Sequence, residues 1–142
     1  MLDAYRDLID ELLATPAEIR GVAAANTSES APSEMRQFIV ELRDRDRALL
    51  GQIQTMRERE VPYLRATSRV ASEPERDLAS LLDEMETARG DLVSTLINLT
   101  LRDWEREAID EVAGEVTVAD LVEPHVDFDE AQRARFRELS SE

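Results

Sequence analysis

Apolar residues recurring in steps of four and three constrain the fold of this chain more than any other feature of its sequence. Met35, Ile39, Leu42, Asp46, Leu49, Ile53 and Met56 fall on one helical face, with Asp46 the only polar member. That helix is expected from about Ser33 to Glu60, because Pro62 disfavours the α conformation in the residue before it. Upstream, Leu2, Tyr5, Leu8, Ile9, Leu12 and Leu13 give a first helix over about residues 2–14. Thr15, Pro16 and Glu18 match a capping box with Pro at the first helical position, which predicts a break and a short second piece. This piece fades into the small polar run 26–32. Ser72-Glu73-Pro74-Glu75 reads as another capping box, and the following helix carries Leu78, Leu81, Met85, Ala88, Leu92, Leu96 and Leu99. Leu82 and Val93 widen its stripe.

The last helix is expected to start at Thr117, with Asp120 three residues on as its capping partner. Its face is mixed: Val118, Leu121, His125, Phe128, Gln132, Phe136 and Leu139. Pro124 lies inside it, lacks an amide hydrogen and predicts a kink or local restart. Residues 100–116 form a long connection with one helical turn near Trp104, the only Trp, which anchors the connection to the helices. Four helices with one apolar stripe each must bury those stripes against one another. The expected fold is therefore all-α, a four-helix bundle in a single domain over residues 1–142.

Composition narrows the function. With 32 acidic residues against 17 basic ones, all Arg, the formal charge is −15. Such a chain repels a phosphate backbone, so nucleic acid is excluded as a partner. The arginines also alternate with acids, as in Arg43-Asp44-Arg45-Asp46-Arg47, rather than forming a basic face. A Lys-free, carboxylate-rich surface points to adaptation to concentrated salt and a halophilic source. No cysteine is present, which removes thiolate catalysis and Cys-based zinc sites. No apolar run approaches the ~20 residues of a membrane span, and no basic-then-apolar leader opens the chain. The expectation is a cytoplasmic protein with no membrane partner. One His, no Cys and no Gly-x-Ser-x-Gly turn leave a hydrolase triad without support, and no catalytic residue is assigned.

The stretch Val40-Glu41-Leu42-Arg43-Asp44-Arg45-Asp46, followed by an apolar helix and Glu60-Val61-Pro62, resembles the second helix of DinB-like proteins, the DNA-damage-inducible metal-binding four-helix bundles. Asp103-Trp104-Glu105-Arg106 and the run from Gly114 to Val122 resemble that family's approach to its last helix. The resemblance covers roughly residues 30–65 and 75–140. It implies one metal-ligating His from the second helix and two, four apart, from the last. Those positions fall here on Glu41, Phe128 and Gln132, none of them His. A further His common one turn earlier falls on Pro124. Glu41 is a fair metal ligand, Gln132 a poor one and Phe128 none, with Phe128 instead filling the former cavity.

Two readings of the remaining polar residues stay open. In one, His125, Asp129 and Glu41 form an offset metal site for zinc or nickel; in the other, His125 is a half-buried residue bonded to a carboxylate such as Asp46 or Asp129. Asp46, His125 and Gln132 either mark a polar pocket remnant or sit at a seam edge and reach solvent. The first reading of function is a metal-free, non-catalytic binding or structural module without cofactor. The resemblance adds a homodimer, and the small-molecule ligand is unassigned. The alternative is a metal-dependent thiol S-transferase or hydrolase with a rebuilt site at Glu41, His125 and Asp129.

Overall fold

The predicted stripes do turn inward on four long helices. The computed structural model describes residues 3–25, 33–65 and 77–140. In chain order its elements are α1 (Asp3–Ala25), α2 (Ser33–Glu58), β1 (Tyr63–Leu64), α3 (Leu78–Ile97), α4 (Leu101–Trp104), β2 (Glu107–Asp110), β3 (Gly114–Thr117) and α5 (Val118–Ser140). The main contacts link α2 to α3 and α5, and α1 to α3 and α5, so α1 and α2 are diagonal. Cross-helix pairs fix the directions. Arg45 over Phe128 and Arg135 over Phe38 set α2 antiparallel to α5. Arg43 with Glu84 and Asp46 with Arg89 set α2 parallel to α3. Thr15 with Asp129 and Glu18 with Arg137 set α1 parallel to α5. The consecutive long helices α2 and α3 thus run parallel, with β1 (Tyr63–Leu64) between them in the chain.

Two apolar clusters fill the bundle. One joins Leu12, Leu49, Ile53, Leu92, Leu96 and Val122 with the connection residues Trp104, Ala108 and Val116. The other joins Ile19, Met35, Ile39, Leu42, Leu81, Met85 and Phe136. Each helix leaves one cluster and enters the other across a buried polar residue: Thr15 on α1, Asp46 on α2, Arg89 on α3, His125 and Asp129 on α5. A single polar layer thus divides the core.

The structure differs from the sequence-based expectation in three places. First, α1 runs through Pro16 without a break. Proline removes the amide that would bond the Leu12 carbonyl four residues back. Arg89 Nη1 donates to that carbonyl instead, at 2.9 Å. Second, α5 is a single helix through Pro124, so it does not restart there. Third, the connection after Leu99 holds strands as well as the expected turn at Trp104. β2 and β3 pair antiparallel, Glu107 opposite Thr117 and Asp110 opposite Gly114, and β1 joins β2 in parallel. The hairpin turn is closed by Asp110 Oδ2, which accepts from Val112 N and Ala113 N, and by Gly114 at φ +79°, a left-handed conformation that glycine adopts without strain. Two- to four-residue strands are too short to show alternation. The Ser72–Glu75 box lies outside the described residues; α3 begins at Leu78 with Asp77 as its cap, whose side chain accepts from Ala79 N.

Caps hold the connection in place. Thr100 and Asp103 form a reciprocal capping box on α4, and Thr117 and Asp120 do so on α5 as expected. Asp103 also accepts from Arg106 Nε at 2.9 Å. That bond, with the Thr100 bonds and nearby Arg57, outweighs burial and holds the carboxyl below its ordinary 3.8. A depressed folded-state value stabilises above the unfolded value and is lost as pH falls through the folded one. Asp103→Asn is therefore expected to lower the melting temperature near neutral pH, and the gap to wild type should close below pH 3.8. Thermal melts across that range check it; a pH-independent gap would assign the effect to the cap bonds alone.

Candidate functional site

Arg89 is the hub of the polar layer. A guanidinium carries five N–H donors, and here each has an acceptor. Nε donates to Asp46 Oδ2 at 2.9 Å and Nη2 to Asp46 Oδ1 at 2.9 Å. Nη2 also donates to Asp129 Oδ1 at 2.9 Å, while Nη1 serves Asp129 Oδ2 and the Leu12 carbonyl. Thr15 Oγ1 donates to Asp129 Oδ2 at 2.7 Å, and His125 Nε2 contacts Asp46 Oδ1 at 2.7 Å. An ionised carboxylate only accepts, so the His125 proton sits on Nε2 and donates to Asp46. Arg89 is 3% exposed and Asp46 0%, so these bonds form away from water. Burial disfavours the Arg89 charge, but the bonds and charges of Asp129 and Asp46 outweigh it and raise its pKa above the ordinary value.

All four long helices meet here, each contributing at least one group. Of the residues singled out in the sequence, Asp46, His125 and Asp129 come together. Asp46 is inside the seam rather than at a solvent-reaching edge, and His125 is bonded to it. Glu41 and Gln132 lie elsewhere. The α2–α5 register set by the Arg45–Phe128 and Phe38–Arg135 contacts places them level with one another, nearer the second apolar cluster. Glu41 Oε1 accepts from Gln37 at 3.4 Å, and Gln132 Oε1 is buried without a partner. Phe128 is packed against the second apolar cluster beneath the Arg45 guanidinium, 3.9 Å from its ring centroid.

Arg89 and Thr15 were not read from the sequence as site residues. Arg89 has a signal: it lies four after Met85 and three before Leu92, on the stripe itself. Ala88 satisfied the same spacing and concealed it. Thr15 was read as a cap, whereas inside a continuous helix its hydroxyl serves Asp129.

No protein-family model matches the sequence, and no curated protein matches it. Among solved structures, YfiT from Bacillus subtilis, described as a probable metal-dependent hydrolase with an unusual four-helix bundle topology, matches with a TM-score of 0.81. The match covers 96% of this chain and 85% of that one at 17% identity. The fold is that of the DinB/YfiT-like bundles. The donor atoms present decide whether this bundle suits the metal that the resemblance implies. At the positions the resemblance assigns to ligands stand one carboxylate, one amide oxygen and a hydrocarbon ring, a set that does not fit a divalent transition ion. Among the described residues no three His, Asp or Glu side chains are grouped so as to hold one. His125 and Asp129 are near each other but face Asp46 and Arg89. No helix among the described residues is long and apolar enough to cross a membrane.

Proposed function

We propose that this DinB-like chain is a metal-free, non-catalytic binding or structural module, in which the Arg89 cluster takes over the work of joining the helices. The observation that carries this reading is the commitment of both buried carboxylates to Arg89. Every guanidinium hydrogen is engaged and all four carboxylate oxygens of Asp46 and Asp129 accept from Arg89, so both buried acids already have a cation as their partner. Displacing Arg89 to seat a metal would leave an uncompensated buried charge, at a cost of roughly 3–5 kcal/mol. The competing reading is a metal-dependent hydrolase or thiol S-transferase with zinc or nickel at Glu41, His125 and Asp129, and the likeness to YfiT, a probable metal-dependent hydrolase, supports its hydrolase form.

Elemental analysis of tag-free protein, purified in molar salt and exposed to zinc, nickel and manganese, separates the two. The expected result is no metal above background. One metal per chain, abolished by His125→Ala, would overturn the proposal in favour of the metal-dependent enzyme. The same samples test salt adaptation, inferred from the charge of −15. Helical circular dichroism should fall on dilution to low salt as screening is lost. Full helicity in dilute buffer would count against a salt-adapted source.

A further inference from the structure

His125 connects the buried cluster to a surface cleft between α2 and α5. The cleft has a volume of about 210 Å³, and its lining includes Arg45, Leu49, Gln52, Asp120, Leu121, Pro124 and His125. Its polar groups are unequally occupied. The Asp120 carboxylate accepts from Thr117 N at the start of α5. His125 gives Nε2 to Asp46, and its Nδ1 has no partner among the described residues. Pro124 cannot donate to the Asp120 carbonyl four residues back, which leaves that acceptor without its helical partner.

Arg45 is the distinctive group. Its neighbours on α2 are paired, Arg43 with Asp44 and Glu84, and Arg47 more distantly with the same two acids. Arg45 instead lies over the Phe128 ring and makes no hydrogen bond or ion pair among the described residues. Partial burial lowers its pKa, opposed by the attraction of Asp129 and Asp46. A guanidinium stacked on a ring by its face keeps its N–H edge available. Beneath the cleft Asp46 and Asp129 are both bonded to Arg89, which leaves that cluster one net negative formal charge, and Arg45 is the cation lining the cleft above it.

We propose that this cleft binds a small carboxylate with an apolar body. Arg45 and the Gln52 amide hold the carboxylate, and Leu49, Leu121 and Pro124 receive the apolar part. The proposal rests on the metal-free binding-module reading. The volume suits a compact molecule, and the Arg45 guanidinium, the cation among the residues lining the cleft, selects acids over neutral or basic analogues.

The test is a ¹H–¹⁵N NMR titration of the full chain with benzoate as probe and benzamide as neutral control, in chelator and again with added zinc. Benzoate should give saturable shifts at the Arg45 Nε–H, the Gln52 side-chain amide and the backbone amides of residues 121–123 and 125. Arg45→Gln should weaken binding about tenfold, the loss of one charge-assisted bond. Its backbone spectrum should change only near residue 45 and around Phe128, Asp46 and Asp129, the groups with which the Arg45 charge interacts. Gln52→Ala gives a second, milder variant. Absence of saturable shifts both in chelator and with zinc, equal binding of benzamide, or unaltered affinity in Arg45→Gln would each overturn the cleft proposal while leaving the metal-free reading intact. Benzoate binding seen only with zinc would overturn the metal-free reading itself.

Discussion

Replacing Arg89 by Met is expected to destabilise the chain by about 3–5 kcal/mol, a large part of the 5–15 kcal/mol typical of a domain. The substitution removes a cation of similar length while leaving Asp46 and Asp129 buried, facing each other with only Thr15 and His125 as donors. It also deprives the Leu12 carbonyl of its replacement donor, which Pro16 made necessary. Arg89→Lys should recover only part of the loss, because a point charge with three donors cannot serve two carboxylates and a carbonyl in one plane. Urea denaturation followed by circular dichroism measures both.

The informative comparison is with removal of the whole cluster. A buried ion pair is costly to break but contributes little against a well-packed apolar replacement. Asp46→Leu, Arg89→Met, His125→Leu and Asp129→Leu, combined with Thr15→Val and with Pro16→Ala to return an amide to the Leu12 carbonyl, should therefore restore stability to within about 1 kcal/mol of wild type or exceed it. That outcome would assign the cluster to specifying helix register, since each helix places its polar residue at the level where the two apolar clusters meet. If the single Arg89→Met variant lost less than about 1 kcal/mol, the hub would not be the cross-link described above.

The same cluster shows how far the sequence could be read. The bundle was legible because the stripes on α2 and α3 are long and regular, and period is the property sequence reports best. Asp46 stood out as a polar break in an apolar seam, and His125 with Asp129 stood out through their four-residue spacing. Which of these residues meet depends on the rotation and order of the helices, and that is long-range information. Arg89 was hidden because it shares the stripe with Ala88. Pro16 misled for a physical reason: a proline breaks a helix when the carbonyl it orphans has no other donor, and here the donor comes from α3, some 77 positions away in sequence. The strands failed to show because Glu107–Asp110 and Gly114–Thr117 are held by pairing to each other and to Tyr63–Leu64, with too few residues to carry a pattern of their own.

Trp104→Ala is the second large effect expected, and it tests the part of the fold that the helical pattern did not describe. Trp104 is 1% exposed and stacks on Tyr5 of α1 with ring centroids 4.5 Å apart and planes inclined by 3°. It lies at the end of α4, just before β2, so it ties the hairpin connection to the first helix as well as filling the cluster that includes Leu96, Ala108 and Val116. Truncating a buried Trp removes its transfer free energy and opens a cavity, about 3–5 kcal/mol in all, and the lost ring pair adds about 0.5–1.5 kcal/mol. Trp104→Phe retains the stack and most of the apolar area, so it should cost less than half as much. Urea denaturation read by circular dichroism gives the energies, because the only indole fluorophore is lost. Hydrogen exchange locates them. If the connection is pinned chiefly by Trp104, amides of residues 107–117 should exchange markedly faster in the Ala variant, while those of α2 and α3 beside the second apolar cluster lose only the protection set by global unfolding. Equal acceleration everywhere would mean that the hairpin and the bundle unfold as one unit, with Trp104 an ordinary member of a continuous core.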